Sequence, residues 1–262
     1  LKAIEMLDTE NDDIHKIIET YRILAADRDN ITYDYGKNIK DFKGVDIDYL
    51  QEKIKLFNPN HSEKFDFPKP HGGGTAYMNT IDKDGLGVSL IQSNFHGIGS
   101  RIGVGSFGFF LHNRGCGFNL DSKHPNYLTP GRKPLHTLSP TIWSKNGNLE
   151  FIAGTRGGRY QPQLLIQTIL PYIRKSDSFE KIIKEPRWVI ENFSSETISK
   201  LRFEKINNED LEILLKKGHE VEVENKLNKA YGPISIIYKK DDGNFEGVCD
   251  VRVGTEKVFN SF

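Results

Sequence analysis

The segment His71-Gly72-Gly73-Gly74-Thr75-Ala76-Tyr77-Met78-Asn79-Thr80-Ile81-Asp82-Lys83-Asp84-Gly85 limits what this 262-residue chain can form more than any other stretch. Three glycines close a long polar region, and an alternating run follows at Thr75, Tyr77, Asn79 and Ile81. Period-two alternation is the pattern of a half-buried strand. Asp84-Gly85 is a turn dipeptide and Val88-Ser89-Leu90-Ile91 begins a second apolar run, so the stretch is predicted as a β-hairpin. The glycine lead admits backbone angles closed to other residues. It also clears side chains from around the Gly74 carbonyl, which the Thr75 hydroxyl can then approach.

That pattern has a chemical reading. A threonine hydroxyl is a weak nucleophile without a base beside it. A terminal α-amine, with a pKa of about 7.7–8.0, can be that base, and an N-terminal threonine carries nucleophile and base in one residue. An N-to-O acyl shift at Gly74-Thr75, followed by hydrolysis of the ester, would create such a terminus. On these residues alone, a glycine-rich turn before a strand explains the same pattern.

Charge neither favours nor requires a nucleic acid: 36 Lys and Arg face 36 Asp and Glu. No apolar run approaches the length of a membrane span. Two cysteines, Cys116 and Cys249, make no disulfide framework and lean towards a reducing, cytoplasmic compartment, although the compartment stays open because the chain starts at Leu1 rather than Met.

Along the chain, Leu1, Ile4 and Leu7, then Ile14, Ile17, Ile18, Tyr21, Leu24 and Ala25, recur at helical spacing over residues 1–28. A short helix is predicted over 46–56. Asn58-Pro59-Asn60, Pro68 and Pro70 mark 58–74 as an exposed, mobile loop, the kind of place where processing occurs. Strands and glycine turns are expected from Thr75 to Phe110, and a loop over 111–135. Asn146-Gly147 between two apolar runs is a hairpin signal. An apolar helix is predicted from Pro162 to Ile173 and another over 208–217, stopped by Gly218. Two strands, 235–238 and 245–249, flank Asp242-Gly243.

Five blocks in this order resemble the γ-glutamyltransferase family of N-terminal nucleophile hydrolases. They are Tyr21 to Asp29, Thr75 to Gly85, Pro134-Leu135-His136-Thr137-Leu138-Ser139-Pro140-Thr141, Gly154-Thr155-Arg156-Gly157-Gly158 and Cys249-Asp250-Val251-Arg252. The resemblance implies an α+β fold, the αββα four-layer sandwich, with part of it supplied by upstream sequence. It implies a precursor that cuts itself between Gly74 and Thr75. Residues 1–74 are then the tail of a large subunit and 75–262 the small, catalytic one. Thr75 would attack an amide carbonyl, Ser93 would sit beside its amino group, and the backbone N–H groups of Gly157 and Gly158 would form the oxyanion site. Water or an amine would accept the acyl group.

The substrate pocket departs from the family pattern. Asn113-Arg114 stands at an Asn-Gln segment, Gly117 where an acidic residue would hold the α-amino group of glutamate, and His136-Thr137 at a pair of serines. Phe95, with Asn94 beside it, replaces an asparagine. Arg114 can bind a carboxylate through two hydrogen bonds, but Gly117 cannot bind an ammonium. The Asn-Arg-Gly segment resembles the glutaryl-cephalosporin-acylase-like subgroup. The substrate implied is a γ-glutamyl amide such as glutathione or, alternatively, a glutaryl amide; a non-catalytic binding protein that kept the fold is the third possibility.

No cofactor is expected, and the eight histidines show no metal-binding spacing such as HExxH. Gly103 to Gly108 fits GxGxxG but leads into Phe109-Phe110-Leu111 rather than a helix start. His71-Gly72-Gly73-Gly74 mimics a serine-esterase oxyanion segment, but no G-x-S-x-G follows.

Overall fold

The computed structural model describes residues 1–7, 13–36, 45–64, 74–174, 177–191, 200–254 and 257–259. Their elements are α1 (Lys2–Met6), α2 (Ile14–Ala26), α3 (Arg28–Ile31), α4 (Ile47–Ile54), β1 (Thr75–Ile81), β2 (Gly87–Ser93), β3 (Thr141–Lys145), β4 (Asn148–Thr155), α5 (Gln161–Ile173), α6 (Phe179–Ile182), β5 (Trp188–Ile190), β6 (Lys200–Phe203), α7 (Asn208–Lys216), β7 (Glu220–Val223), β8 (Ile234–Lys239) and β9 (Phe245–Cys249).

Strands β1 and β2 pair antiparallel from Thr75↔Ser93 to Ile81↔Gly87. Asp82 closes the turn, its Oδ1 accepting from the backbone N–H groups of Asp84 and Leu86, each at 2.9 Å. The hairpin lies on a four-stranded antiparallel sheet of order β3-β4-β8-β9. Alternation along β4 explains the layering. Ile152 and Gly154 face the hairpin, where a Cβ on Gly154 would come within 2.1 Å of the Tyr77 ring. Phe151 and Ala153 face the other way, into a core with Leu164, Leu165 and Ile169 of α5 and Phe179 and Ile182 of α6. Hairpin, sheet and helix are thus three successive layers, and Gly154 is where the first two touch most closely. Asn79 ties the same layers, its Nδ2 donating to Ser235 O at 3.2 Å.

A second core joins α2 and α7 to a three-stranded sheet, β5-β6-β7, in which β6 and β7 run parallel. Ile18, Ile190, Leu201 and Leu214 are wholly buried there, each stabilising by about 2 kcal/mol. Asp13 caps α2 by accepting from Lys16 N at 2.8 Å, and Asn207 caps α7 by accepting from Asp210 N at 2.8 Å.

Three expectations need qualifying. Residues 58–64 form a largely exposed loop, but one tied down at Ser62. Ser62 is buried, its N–H donates to Lys217 O at 2.7 Å, and Arg22 donates to Ser62 Oγ and Glu63 O. The remainder of that predicted loop before Gly74 lies outside the described residues. Beyond Ser93 the expected strands reduce to one bridge, Gly103↔Phe110, around a 3₁₀ turn at Gly105–Phe107. The sheet β5-β6-β7 was not expected. No helix among the described residues is long and apolar enough to cross a membrane.

Candidate active site

The register of the hairpin brings its two ends together. Thr75 opens β1 and Ser93 closes β2 directly opposite. The Thr75 hydroxyl donates to Ser93 Oγ at 3.0 Å. Ser93 Oγ also accepts the Phe95 N–H at 3.0 Å and donates its own proton to the Gly74 carbonyl at 3.1 Å. One hydroxyl therefore holds both the threonine and the carbonyl that precedes it. Gly74 is exposed and so crowded that a Cβ would come within 2.5 Å of Gly97 O. His71, Gly72 and Gly73 lie outside the described residues.

Thr75, Ser93, Phe95, Thr137, Gly158 and Arg159 line one narrow cleft. Gly157 and Gly158 both have positive φ, 124° and 57°, between the end of β4 and the 3₁₀ turn Gly158–Tyr160 that leads into α5. Neither N–H forms a hydrogen bond among the described residues, so both remain available to an oxygen in or beside the cleft.

Arg114 lies behind the cleft, only 6% exposed. Its Nη1 donates to Thr137 Oγ1 at 3.4 Å and its guanidinium lies 5.1 Å from the centre of the Phe95 ring. Nη2 is buried without a hydrogen-bond partner among the described residues. Among the described residues no carboxylate forms an ion pair with it, and burial lowers its pKa. His96 and His136 are both held below the ordinary imidazole range, first by burial and then by the charge of Arg114. Phe95 has a left-handed backbone, φ 78°, and stacks on His96 with ring centres 4.0 Å apart. A bulky residue in that region carries backbone strain.

The other candidates sit differently. Asn113 spends its side chain on the loop after β2, accepting from His96 N at 2.9 Å and donating to Gly99 O at 3.1 Å. Asn94 is half-buried and offers its carbonyl to Asn113 N at 3.1 Å. His136 is exposed as a residue although its imidazole is partly desolvated, and its backbone carbonyl accepts from Arg28 at 3.4 Å. None of these three lines the cleft among the described residues.

The family model for gamma-glutamyltranspeptidase matches residues 1–259. The chain belongs to that family. It is 31% identical over 245 residues to a glutathione hydrolase-like YwrD proenzyme of Bacillus subtilis, covering 91% of this chain and 45% of the relative. It is 30% identical over 258 residues to an oxamate amidohydrolase proenzyme of Klebsiella pneumoniae, covering 95% and 48%. Among solved structures, a cephalosporin acylase from Bacillus halodurans superposes with a TM-score of 0.79 at 25% identity, over 95% of this chain and 46% of that one. A Helicobacter pylori gamma-glutamyltranspeptidase mutant, at 21% identity and a TM-score of 0.57, matches 68% of this chain and 99% of its own. The fold is the α+β sandwich of the N-terminal nucleophile hydrolases, and the chain spans about half the length of the curated relatives it matches.

In this gamma-glutamyltranspeptidase-family chain, several residues that position the cleft escape a reading of the sequence. Asp250 and Arg252, in the Cys249-Asp250-Val251-Arg252 block, form a buried quartet with Arg187 and Glu204. Arg187 also donates to the carbonyls of Tyr231 and Gly232 at 2.9 and 2.6 Å. The segment so held packs on the strand before the glycines: Thr155 Oγ1 donates to Pro233 O at 2.8 Å. The quartet thus braces the segment against which the end of β4, two residues before Gly157, is hydrogen-bonded, and no spacing signal announces it. A second polar cluster, His15, Glu19 and His219, holds atoms that could ligate a metal. Arg22 occupies the Glu19 carboxylate, however, and the imidazoles lie 2.8 Å apart, closer than the roughly 3.4 Å between two nitrogens on one tetrahedral zinc. Their geometry is that of a hydrogen bond.

Proposed function

We propose that residues 1–262 belong to a self-processing precursor that becomes an amide hydrolase or acyltransferase. The boundary lies at Gly74-Thr75, with 1–74 the tail of the upstream subunit and 75–262 the catalytic one. What carries this reading is the three-way contact of Thr75, Ser93 and the Gly74 carbonyl in one cleft with Gly158. Support for the boundary comes from the gamma-glutamyltranspeptidase chain that is matched over nearly its whole length by about two thirds of this one.

In processing, Thr75 Oγ attacks the Gly74 carbonyl carbon while Ser93 donates to its oxygen. The peptide C–N bond breaks, the nitrogen takes the hydroxyl proton, and an ester remains. Water hydrolyses it and leaves Gly74 as a carboxylate and Thr75 with a free α-amine. In turnover that amine takes the proton from Oγ as Oγ attacks the substrate amide. The N–H groups of Gly157 and Gly158 bind the oxyanion; losing one such donor typically lowers the rate by about 10²–10³. The proton passes to the departing amine, and water or an acceptor amine then removes the acyl group.

The substrate is an amide whose acyl group ends in a carboxylate, held by the free Nη2 of Arg114 with Thr137 beside it. A glutaryl-type acyl group is favoured over γ-glutamyl because the described residues lining the cleft include no carboxylate to bind an α-ammonium. Turnover of glutaryl and γ-glutamyl p-nitroanilides by the full-length precursor tests this. A higher kcat/KM for glutaryl supports the assignment, and a large preference for γ-glutamyl removes it. Cleavage at Gly74 with no turnover of any amide would favour the binding-protein alternative.

A further inference from the structure

We propose that Gln161 is a positioning residue that sets the acyl-chain length accepted by the cleft. The inference rests on the reading above, in which Arg114 and Thr137 hold the acyl carboxylate and Gly157 and Gly158 hold the carbonyl oxygen.

These two binding points belong to different segments. Thr137 lies on the approach to β3, and Gly158 and Arg159 on the approach to α5; both segments line the cleft. Behind the cleft they are joined by one hydrogen bond, in which Ser139 N–H donates to Gln161 Oε1 at 3.0 Å. Gln161 is the first residue of α5 and is completely buried. Its Nε2 has no hydrogen-bond partner among the described residues. A buried amide left half-satisfied calls for an explanation, and an apolar side chain of similar size would fill the space without that defect. What such a side chain could not do is fix the distance between residues 137–139 and the glycines. A substrate bound at both ends spans that same distance, so the Gln161–Ser139 bond selects how many methylenes fit between carboxylate and carbonyl. A geometric error of about 1 Å at a reacting centre can lower a rate by about 10², which makes such a restraint a strong filter.

The test uses the full-length precursor and a series of mono-p-nitroanilides of four-, five- and six-carbon dicarboxylic acids, with butyryl anilide as the member that lacks a carboxylate. The wild-type protein should show one favoured length. Gln161→Leu removes the acceptor and should reduce the ratio of kcat/KM between the favoured and next length at least tenfold, chiefly through KM. Turnover of butyryl anilide should change less than twofold. Gln161→Glu keeps an oxygen facing Ser139 N–H and should retain the wild-type order. Ser139→Pro removes the donor from the opposite side and should reproduce the flattened profile, which keeps the test open if Gln161→Leu does not fold. An unchanged length preference in both disrupting variants, or an equal loss on all four anilides, overturns the inference while leaving the proposed chemistry intact. A wild-type precursor that neither cleaves at Gly74 nor turns over any anilide overturns the underlying reading and this inference with it.

Discussion

Two buried arginines divide this molecule into a part built to be finished and a part built to be completed by something else. Arg252 is enclosed by Glu204 and Asp250 and also donates to the carbonyls of Ile183 and Glu185 at 3.1 and 2.8 Å. Arg114 is also buried, but among the described residues its guanidinium meets a threonine hydroxyl and an aromatic face, and Nη2 has no hydrogen-bond partner. Burying a charge costs several kcal/mol unless it is paired. The first arginine recovers that cost inside the fold. The second does not recover it among the described residues, and it lies beside the cleft that holds Thr75; on the proposed function, the acyl carboxylate supplies the missing partner. Unpaired burial next to a candidate nucleophile is a sign of function where paired burial is a sign of architecture.

That contrast can be broken experimentally, and the largest effect is expected at the paired site. Arg252→Leu leaves Glu204 buried without its arginine partner, while Asp250 keeps Arg187, and should destabilise the fold by about 3–5 kcal/mol, read as a fall in the denaturation midpoint. Arg114→Leu should leave stability unchanged or higher, while kcat/KM for a carboxylate-bearing anilide falls about 10²-fold, as removal of a buried charged partner does. An Arg114→Leu protein as unstable as the Arg252 variant would erase the distinction.

A smaller effect is expected from pH at the cluster that joins α2 to the end of α7. Burial, then the charges of His15 and Arg22, depress the pKa of His219 to about 3. Burial first of all lowers that of His15 too. In the unfolded chain both return to about 6.5, so unfolding binds protons below that value. Their contribution is complete above about pH 6.5 and drains as pH falls toward the folded values. For His219 alone the loss at pH 5 is about 2 kcal/mol. Denaturant titrations at pH 7 and pH 5 should differ by at least that amount, and His219→Gln should narrow the gap.

The smallest change sharpens the comparison by restoring an acid at Gly117, where the family pattern has one. A Cβ on Gly117 would meet nothing nearer than Leu135 Cβ at 3.7 Å, ordinary contact, so Gly117→Asp can be accommodated. It should shift the ratio of glutaryl to γ-glutamyl turnover about tenfold, roughly 1.4 kcal/mol, towards the ammonium-bearing substrate.

How far these features could be read from the sequence followed from how local their causes are. The 75–93 hairpin, the Asn146-Gly147 turn and the stop at Gly218 depend on alternation and on positive φ, and both are written in neighbouring residues. Strands β6 and β7 are four residues each, carry charges on their outward faces, and pair in parallel across α7. Glu220-Val221-Glu222-Val223 does alternate, but at that length alternation alone does not name a strand. At the site, Gly74-Thr75 stands out from its glycines and the alternation that follows, whereas Ser93, Gly157 and Gly158 are named only through the family resemblance; the hairpin register is what sets Thr75 against Ser93. Asn113 was read as a ligand, whereas its amide holds the loop behind it. The isolation of Arg114, the ion-pair quartet and the Gln161–Ser139 bond are facts about what is absent or present in space, and no spacing along the chain encodes them.

The central claim is that the chain is cut before Thr75, and the most direct measurement is the intact mass and N-terminal sequence of protein made from the full-length gene, beside its Thr75→Ala variant. Two polypeptides from the wild type, one beginning at Thr75, and a single uncut chain from the variant are the predicted result. A wild-type chain that stays whole after prolonged incubation, or is cut equally in the variant, would contradict the account.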